Sequence, residues 1–295
     1  MSVATPAVGR FAPTPSGPLH FGSVVTAIAS WLDVRARGGR WLLRIDDLDP
    51  PRVVAGAEAA ILATVEALGL GWDGEVLRQS SRGAAYAAAF AALRATGRVY
   101  PCGCSRRAIG RGPYPGTCRQ RLPPPTGPVA WRLRVDDGAP VGLDDVVQGA
   151  YRQDVAAESG DFVLRRADGV YAYHLAVVVD DAWQGVTEVT RGVDLLDSTP
   201  RQVLLQRLLG LPTPRYAHLP VVLDAAGDKL SKQTHASPVG PAAAPLAAWQ
   251  ALDFLGLEPP AALRGEACPA LLAWALPRWR LAALDPAPRP YAFAA

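Results

Sequence analysis

The stretch at residues 10–23, RFAPTPSGPLHFGS, constrains the fold more than any other part of the chain. A short apolar run at residues 8–11 stops at a turn with three prolines and two glycines. An apolar-periodic segment follows at once, with Val25, Ile28, Ala29 and Leu32 at helical spacing. The order reads as strand, irregular turn, helix N-terminus. In an α/β fold such a junction holds phosphates, because the first turn of a helix presents free N–H groups and a positive dipole end. His20 can donate to a phosphate oxygen, and Gly22, without a side chain, lets a planar base or ribose lie against the backbone.

The chain keeps the alternation that begins here. Gly38-Gly39 is expected to end the first helix. Residues 41–45 (WLLRI) read as a buried parallel strand, ending in Asp46-Asp47-Leu48-Asp49-Pro50-Pro51. Carboxylates at the C-terminal end of such a strand face the ligand crevice of an open sheet. Helices are expected near residues 56–68 and from about Ser81, the second with Tyr86, Phe90 and Leu93 on one face. The alternation predicts an α/β fold with a parallel sheet. A proline-rich connector at residues 123–128 leads to strands near 131–135, 142–155 and 161–166, an insert between two halves of the sheet. Residues 186–191 read as a strand ending at Arg191, and residues 216–223 as another. Thr199-Pro200 reads as a helix cap and first-turn proline. Beyond residue 238, two or three short packed helices are expected. The expected division is 1–100 for the first half of the α/β domain, 101–190 for the insert and the return to the sheet, 191–237 for the second half, and 238–295 for a C-terminal helical region.

With 295 residues, 49% hydrophobic and 19% charged, the chain can bury a sizeable core. No run of about 18 apolar residues suggests a membrane span, and the N-terminus lacks the pattern of a secretory signal. Four cysteines, two of them in Cys102-x-Cys104, suit a reducing cytoplasm and a metal better than a disulfide framework. A net charge of +3 leaves room for a localised basic face. All but two of the 30 basic residues are arginine, and the two lysines, Lys229 and Lys232, fall in one motif, DKLSKQ. A compact, flexible ammonium retained in an arginine-rich chain suits a transferring phosphate.

Residues 100–118, YPCGCSRRAIGRGPYPGTC, have little periodicity and many turn residues. Cys102, Cys104 and Cys118 offer three soft ligands suited to zinc, leaving a fourth to come from water, a histidine or Cys268. Cys268 itself reads as core, and His174 and His218 as structural.

The His20-x-Gly22 unit and DKLSKQ resemble the HIGH and KMSKS signatures of the class I aminoacyl-tRNA synthetases. RFAPTPSGPLHFGS followed by LLRIDDLDPPR is similar to their glutamyl subgroup. Only about 60 residues follow the lysine motif, too few for an anticodon-binding domain of typical size. This, the cysteine–tyrosine pattern and the phrase YHLAVVVDD resemble the glutamyl-queuosine tRNA(Asp) synthetases.

The resemblance implies a Rossmann-type nucleotide-binding domain with an inserted zinc-bearing subdomain. It implies activation of L-glutamate by ATP and transfer of the glutamyl group to queuosine in the anticodon stem-loop of tRNA(Asp). The competing expectations are a glutamyl enzyme charging a tRNA 3′ end, a nucleotidyltransferase without tRNA, and a catalytically inert zinc-bearing RNA-binding module. The implied ATP site is His20, Gly22, Ser23 and Lys232, with Lys229 adding charge and Mg²⁺ accompanying ATP. The implied glutamate pocket is Arg10, Phe11, Ala12, Pro13 and Thr14, with Asp46 on the α-ammonium and Tyr173 and Arg191 completing it. An arginine can grip a carboxylate bidentately, and a tyrosine can add a wall and one hydrogen bond. One structural Zn²⁺ would sit on Cys102, Cys104, Tyr114 and Cys118. A cytoplasmic monomer without membrane contact is expected. The sequence departs from the family pattern at Asp46 (usually Glu), at Ser23 (the second histidine of HIGH) and at Gln233 (the last serine of KMSKS).

Overall fold

The computed structural model describes residues 6–110, 112–121, 123–136, 140–223 and 238–291. Strand β1 (Val8–Phe11) runs through the proline-rich turn into helix α1 (Phe21–Arg35). Both faces of α1 are apolar, and Val24, Ala27, Ile28, Ala29 and Leu32 are fully buried. The helix ends at Arg35, earlier than the glycine pair, with Ala36 as its cap. Gly38, at φ +65°, and Gly39 shape the return into β2 (Arg40–Ile45). All of β2 after its first residue is buried, as a central parallel strand requires. Then follow α2 (Ala57–Ala67), the short β3 (Leu77–Arg78) and α3 (Gly83–Ala95). The buried face of α3 is Tyr86, Phe90 and Leu93, the face its spacing predicts.

The insert comprises β4 (Val99–Cys102), α4 (Arg106–Ile109), β5 (Ala130–Leu133), the hairpin β6 (Val141–Asp145) and β7 (Gly149–Gln153), α5 (Val155–Glu158), and β8 (Phe162–Arg165). Strands β4, β5 and β8 form an antiparallel sheet. The chain returns through α6 (Tyr173–Trp183), β9 (Glu188–Gly192), α7 (Thr199–Leu209) and β10 (Arg215–Leu219). Ser198, not Thr199, takes the cap position of α7; Thr199 is already helical and turns its hydroxyl to other use. The strand expected at 216–223 breaks at Pro220, because proline lacks the ladder N–H. Its tail, β11 (Val222–Leu223), pairs elsewhere. After α8 (Ala244–Phe254) and α9 (Cys268–Ala275), β12 (Arg289–Pro290) lies parallel to β11.

The main sheet runs β10-β9-β1-β2-β3, and every pair in it is parallel. From β1 the chain proceeds to β2 on one side and later to β9 on the other, so the order reverses at β1. A crevice opens at the carboxyl ends of strands at such a switch point. The main core packs α1 between the sheet and α8; a second cluster joins α3, α6 and α7 to the insert. Among the described residues, no helix is long and apolar enough to cross a membrane.

Candidate active site

A cavity of about 560 Å³ occupies the switch point. Its wall includes Arg10, Phe11, Ala12, Pro13 and Thr14 from the end of β1 and the turn after it. His20, Gly22 and Ser23 come from the start of α1, and Arg191 and Gly192 from the end of β9. The β1–α1 junction therefore brings both sets of expected ligands to one hollow.

His20 is the N-cap of α1. Its Nδ1 accepts from the Ser23 backbone N–H at 3.4 Å, and its Nε2 lies 3.1 Å from the Ser23 hydroxyl. In a neutral ring an accepting Nδ1 leaves the proton on Nε2, which is donated to the Ser23 hydroxyl and which a phosphate oxygen could accept in its place. The cap reading and the ligand reading of this histidine are thus compatible. Ser23 stands in contact with the ring. Lys229, Lys232 and Gln233 lie outside the described residues. The chain on either side is anchored beside the site: Val222 lines the cavity, Pro238 bridges His20, and Val239 N–H donates to Leu19 O at 2.8 Å.

Behind the cavity lies a buried charge network. Arg44, fully buried near the C-terminal end of β2, donates from Nε to Asp46 at 2.7 Å and from Nη1 to Asp181 at 2.6 Å. The same Asp181 oxygen accepts from Arg10 Nε at 3.3 Å. Burial opposes ionisation of Asp181, but Arg10 and Arg44 prevail and hold it below the ordinary carboxylate range. Asp46 goes the other way. Burial and the neighbouring Asp181 charge raise it to about 6, with Arg44 only partly offsetting them. Asp46 stands behind the cavity wall rather than in it, with its backbone N–H on Pro13 O at 3.0 Å.

Arg191 is held from three sides. Its Nε donates to His218 Nε2 at 3.1 Å, and its Nη2 donates to the Thr199 hydroxyl at 2.7 Å. Its Nη1 reaches the Tyr173 hydroxyl at 3.5 Å. Because His218 accepts at Nε2, its proton sits on Nδ1 and is donated to Asp145 Oδ2 at 2.6 Å. Burial lowers the His218 pKa against the pull of Asp145, which keeps the ring neutral near pH 7. Tyr173 is 37% exposed and lies outside the cavity wall, touching the site through Arg191.

The cysteine loop folds as its own small cluster. The sulfurs of Cys102, Cys104 and Cys118 lie within 4.8 Å of one another, with Cys104 and Cys118 3.5 Å apart. The Tyr114 hydroxyl is 3.3 Å from Cys102 Sγ and 3.7 Å from Cys104 Sγ. Zinc–sulfur bonds of about 2.3 Å in a tetrahedron place ligands about 3.8 Å apart, so the four side chains fit that ion. Burial opposes ionisation of Cys118, but hydrogen bonds from Tyr114 and the Gly103 backbone bring it down to about 7, while burial pushes the Cys104 thiol and the Tyr114 phenol up. Gly160 docks this loop: it has φ +64°, and a Cβ there would meet Tyr114 backbone atoms at 2.7 Å. Cys268 is buried in the main core, apart from the cluster.

The model of the class I tRNA synthetase (E and Q) catalytic domain matches residues 7–112 and 123–242. The chain is 53% identical over 282 residues to the glutamyl-Q tRNA(Asp) synthetase of Thiobacillus denitrificans, covering 93% of each chain. It is 56% identical over 279 residues to the Burkholderia mallei protein of the same name, covering 90% of this chain and 92% of that one. The chain belongs to the glutamyl-Q tRNA(Asp) synthetases. A crystal structure of a glutamate tRNA ligase from Elizabethkingia meningosepticum superposes with a TM-score of 0.80 at 23% identity, over 98% of this chain and 68% of that one, and shares the fold.

His218 is structural, as its sequence reading has it, but its partner Asp145 and the buried Arg44–Asp181 pair behind the cavity are supports that sequence reasoning missed. A signal existed for Arg44: a cation inside the apolar run WLLRI requires a buried counter-charge. For His218 there was none, since a lone histidine in a strand gives no hint of its neighbours.

Proposed function

We propose that the cavity binds L-glutamate and ATP, forms glutamyl-adenylate, and passes the glutamyl group to queuosine at the wobble position of tRNA(Asp). The observation that carries this reading is the pairing of Arg10 and Arg191 on the wall that His20 shares. Both guanidiniums are buried and fixed by partners, as recognition of a dicarboxylic amino acid next to a nucleotide requires. The membership of the chain among the glutamyl-Q tRNA(Asp) synthetases supports it.

In the first step an oxygen of the glutamate α-carboxylate attacks the α-phosphorus of ATP, and pyrophosphate leaves. In the second, a hydroxyl on the cyclopentene ring of queuosine attacks the acyl carbon, and AMP leaves. The protein supplies no nucleophile; it positions the reactants and stabilises charge. Arg10 reads the side-chain carboxylate, and Phe11, Ala12, Pro13 and the Thr14 hydroxyl line the pocket. Asp46 attracts the α-ammonium from behind the pocket floor, and Arg191, braced by Tyr173 from outside the wall, closes the far side. His20 donates from Nε2 to a phosphate oxygen, while Gly22 and Ser23 leave the α1 N-terminus open to the nucleotide. Lys229 and Lys232 add charge at the leaving pyrophosphate. Mg²⁺ enters with ATP. Cys102, Cys104, Tyr114 and Cys118 hold Zn²⁺, which braces the loop.

Labelled glutamate, ATP and tRNA test the reading. Label is expected on queuosine-bearing tRNA(Asp), with periodate treatment of the tRNA abolishing it. Label on queuosine-free tRNA would mean charging of a 3′ end and would overturn it.

A further inference from the structure

A second cavity, of about 400 Å³, lies between the cysteine loop, the antiparallel sheet and the starts of α6 and α7. Arg132 of β5 and Arg201 of α7 line it, together with His174. Neither arginine meets a carboxylate among the described residues. Arg132 Nη1 donates to the Asp161 backbone carbonyl at 2.7 Å, and its guanidinium lies 4.0 Å from the centre of the Tyr114 ring. Arg201 Nη2 reaches the Asp197 backbone carbonyl at 3.2 Å. The carboxylate in this wall, Asp161, is committed to Arg119 at 2.7 Å and to the Tyr100 hydroxyl.

The wall also contains buried polar atoms without partners: Nε of Arg132, Nε of Arg201 and Nδ1 of His174. Arg132 is 9% exposed, so its unmet donor is deep rather than a surface atom awaiting solvent. Helix α6 begins here, and no side chain caps it. Its dipole adds to the positive potential of the two guanidiniums. A cationic hollow with unmet donors is complementary to an anion rich in acceptors.

We propose that this cavity takes one backbone phosphate of the bound RNA, gripped by Arg132 and Arg201. The inference rests on the RNA-acceptor reading of the neighbouring site. The two cavities meet at Tyr173, which lines the second and contacts Arg191 of the first. A strand phosphate seated there holds the RNA one side chain from the amino-acid pocket. The cysteine loop shapes this seat, because Tyr114 is the surface on which Arg132 stacks.

The test uses the full chain with Arg201→Gln and Arg201→Lys. Glutamate-dependent ATP–pyrophosphate exchange without RNA should stay within about twofold of the parent in both. For Arg201→Gln, the KM for tRNA should rise about tenfold, and the slope of log affinity against log salt should fall by about 1. Arg201→Lys should recover most of the loss. An unchanged tRNA KM and salt slope would overturn the proposal, as would an equal loss of exchange. Weaker inhibition by free pyrophosphate with tRNA KM unchanged would assign the seat to a product, and would also overturn it. If the parent transfers glutamate to no RNA, the functional reading fails by itself. Binding of a queuosine-bearing anticodon stem-loop, read by its salt slope in parent and variant, still decides the cavity.

Discussion

His218 donates to Asp145 through a 2.6 Å Nδ1–Oδ2 hydrogen bond, and this bond determines which face of the imidazole meets Arg191. The carboxylate holds the proton on Nδ1, which leaves the Nε2 lone pair for the arginine N–H. Asp145 is locked in turn, its Oδ1 accepting from the backbone N–H groups of Val147, Gln148 and His218. Asp145→Asn should let the ring present N–H to N–H at Arg191. The KM for glutamate should then rise roughly tenfold to a hundredfold, the range for one unmet buried donor of about 1–3 kcal/mol. The KM for ATP should stay unchanged. Steady-state exchange with each substrate varied separately measures both.

Asp46 provides a pH signature. Its carboxylate has to be ionised to hold an ammonium, and burial has raised its pKa to about 6. The charge is therefore present above that value and lost as pH falls through it. The KM for glutamate should be flat above about pH 7 and rise roughly tenfold for each unit well below 6. Asp46→Asn should give a high KM without that dependence. A parent profile flat down to pH 5 would remove Asp46 from the ammonium site.

Cys104→Ser should lower bound zinc from one equivalent per chain, measured by elemental analysis. Exchange without RNA should be nearly unchanged, because the cysteine cluster lies outside the first cavity. Transfer to tRNA should fall severalfold as Tyr114 loses its place under Arg132. An unmutated protein free of zinc would dispose of the site.

Lys232→Ala should depress exchange by roughly 10²–10³, the range for one charge-stabilising donor in a transition state. Glutamate binding, followed by calorimetry, should not change. Near-parental exchange would contradict its role at the phosphates.

Much of the frame was legible because it rests on local rules. The β1–turn–α1 junction, the buried run of β2 and the face of α3 each follow from spacing and turn chemistry within about 20 residues. The contact between Cys102, Cys104 and Cys118 was legible for a similar reason, since few loops keep three thiols by chance. The remainder depends on pairs far apart in the chain. Asp181 meets Arg10 across 171 positions, and Asp145 meets His218 across 73. No periodicity registers such encounters. Thr199 misled for another reason: residues that suit a cap also suit a first helical turn, and Arg191 decides how its hydroxyl is used.

The carboxylate of Asp181 sits between two guanidiniums in different surroundings, Arg10 on the cavity wall and Arg44 in the sheet interior. Replacing Arg10 alone to admit another amino acid would leave Asp181 and Arg44 to rebalance inside the protein. A change of charge at Arg10 is therefore felt at Asp181 and Arg44 as well, so the wall and the sheet interior answer to one another.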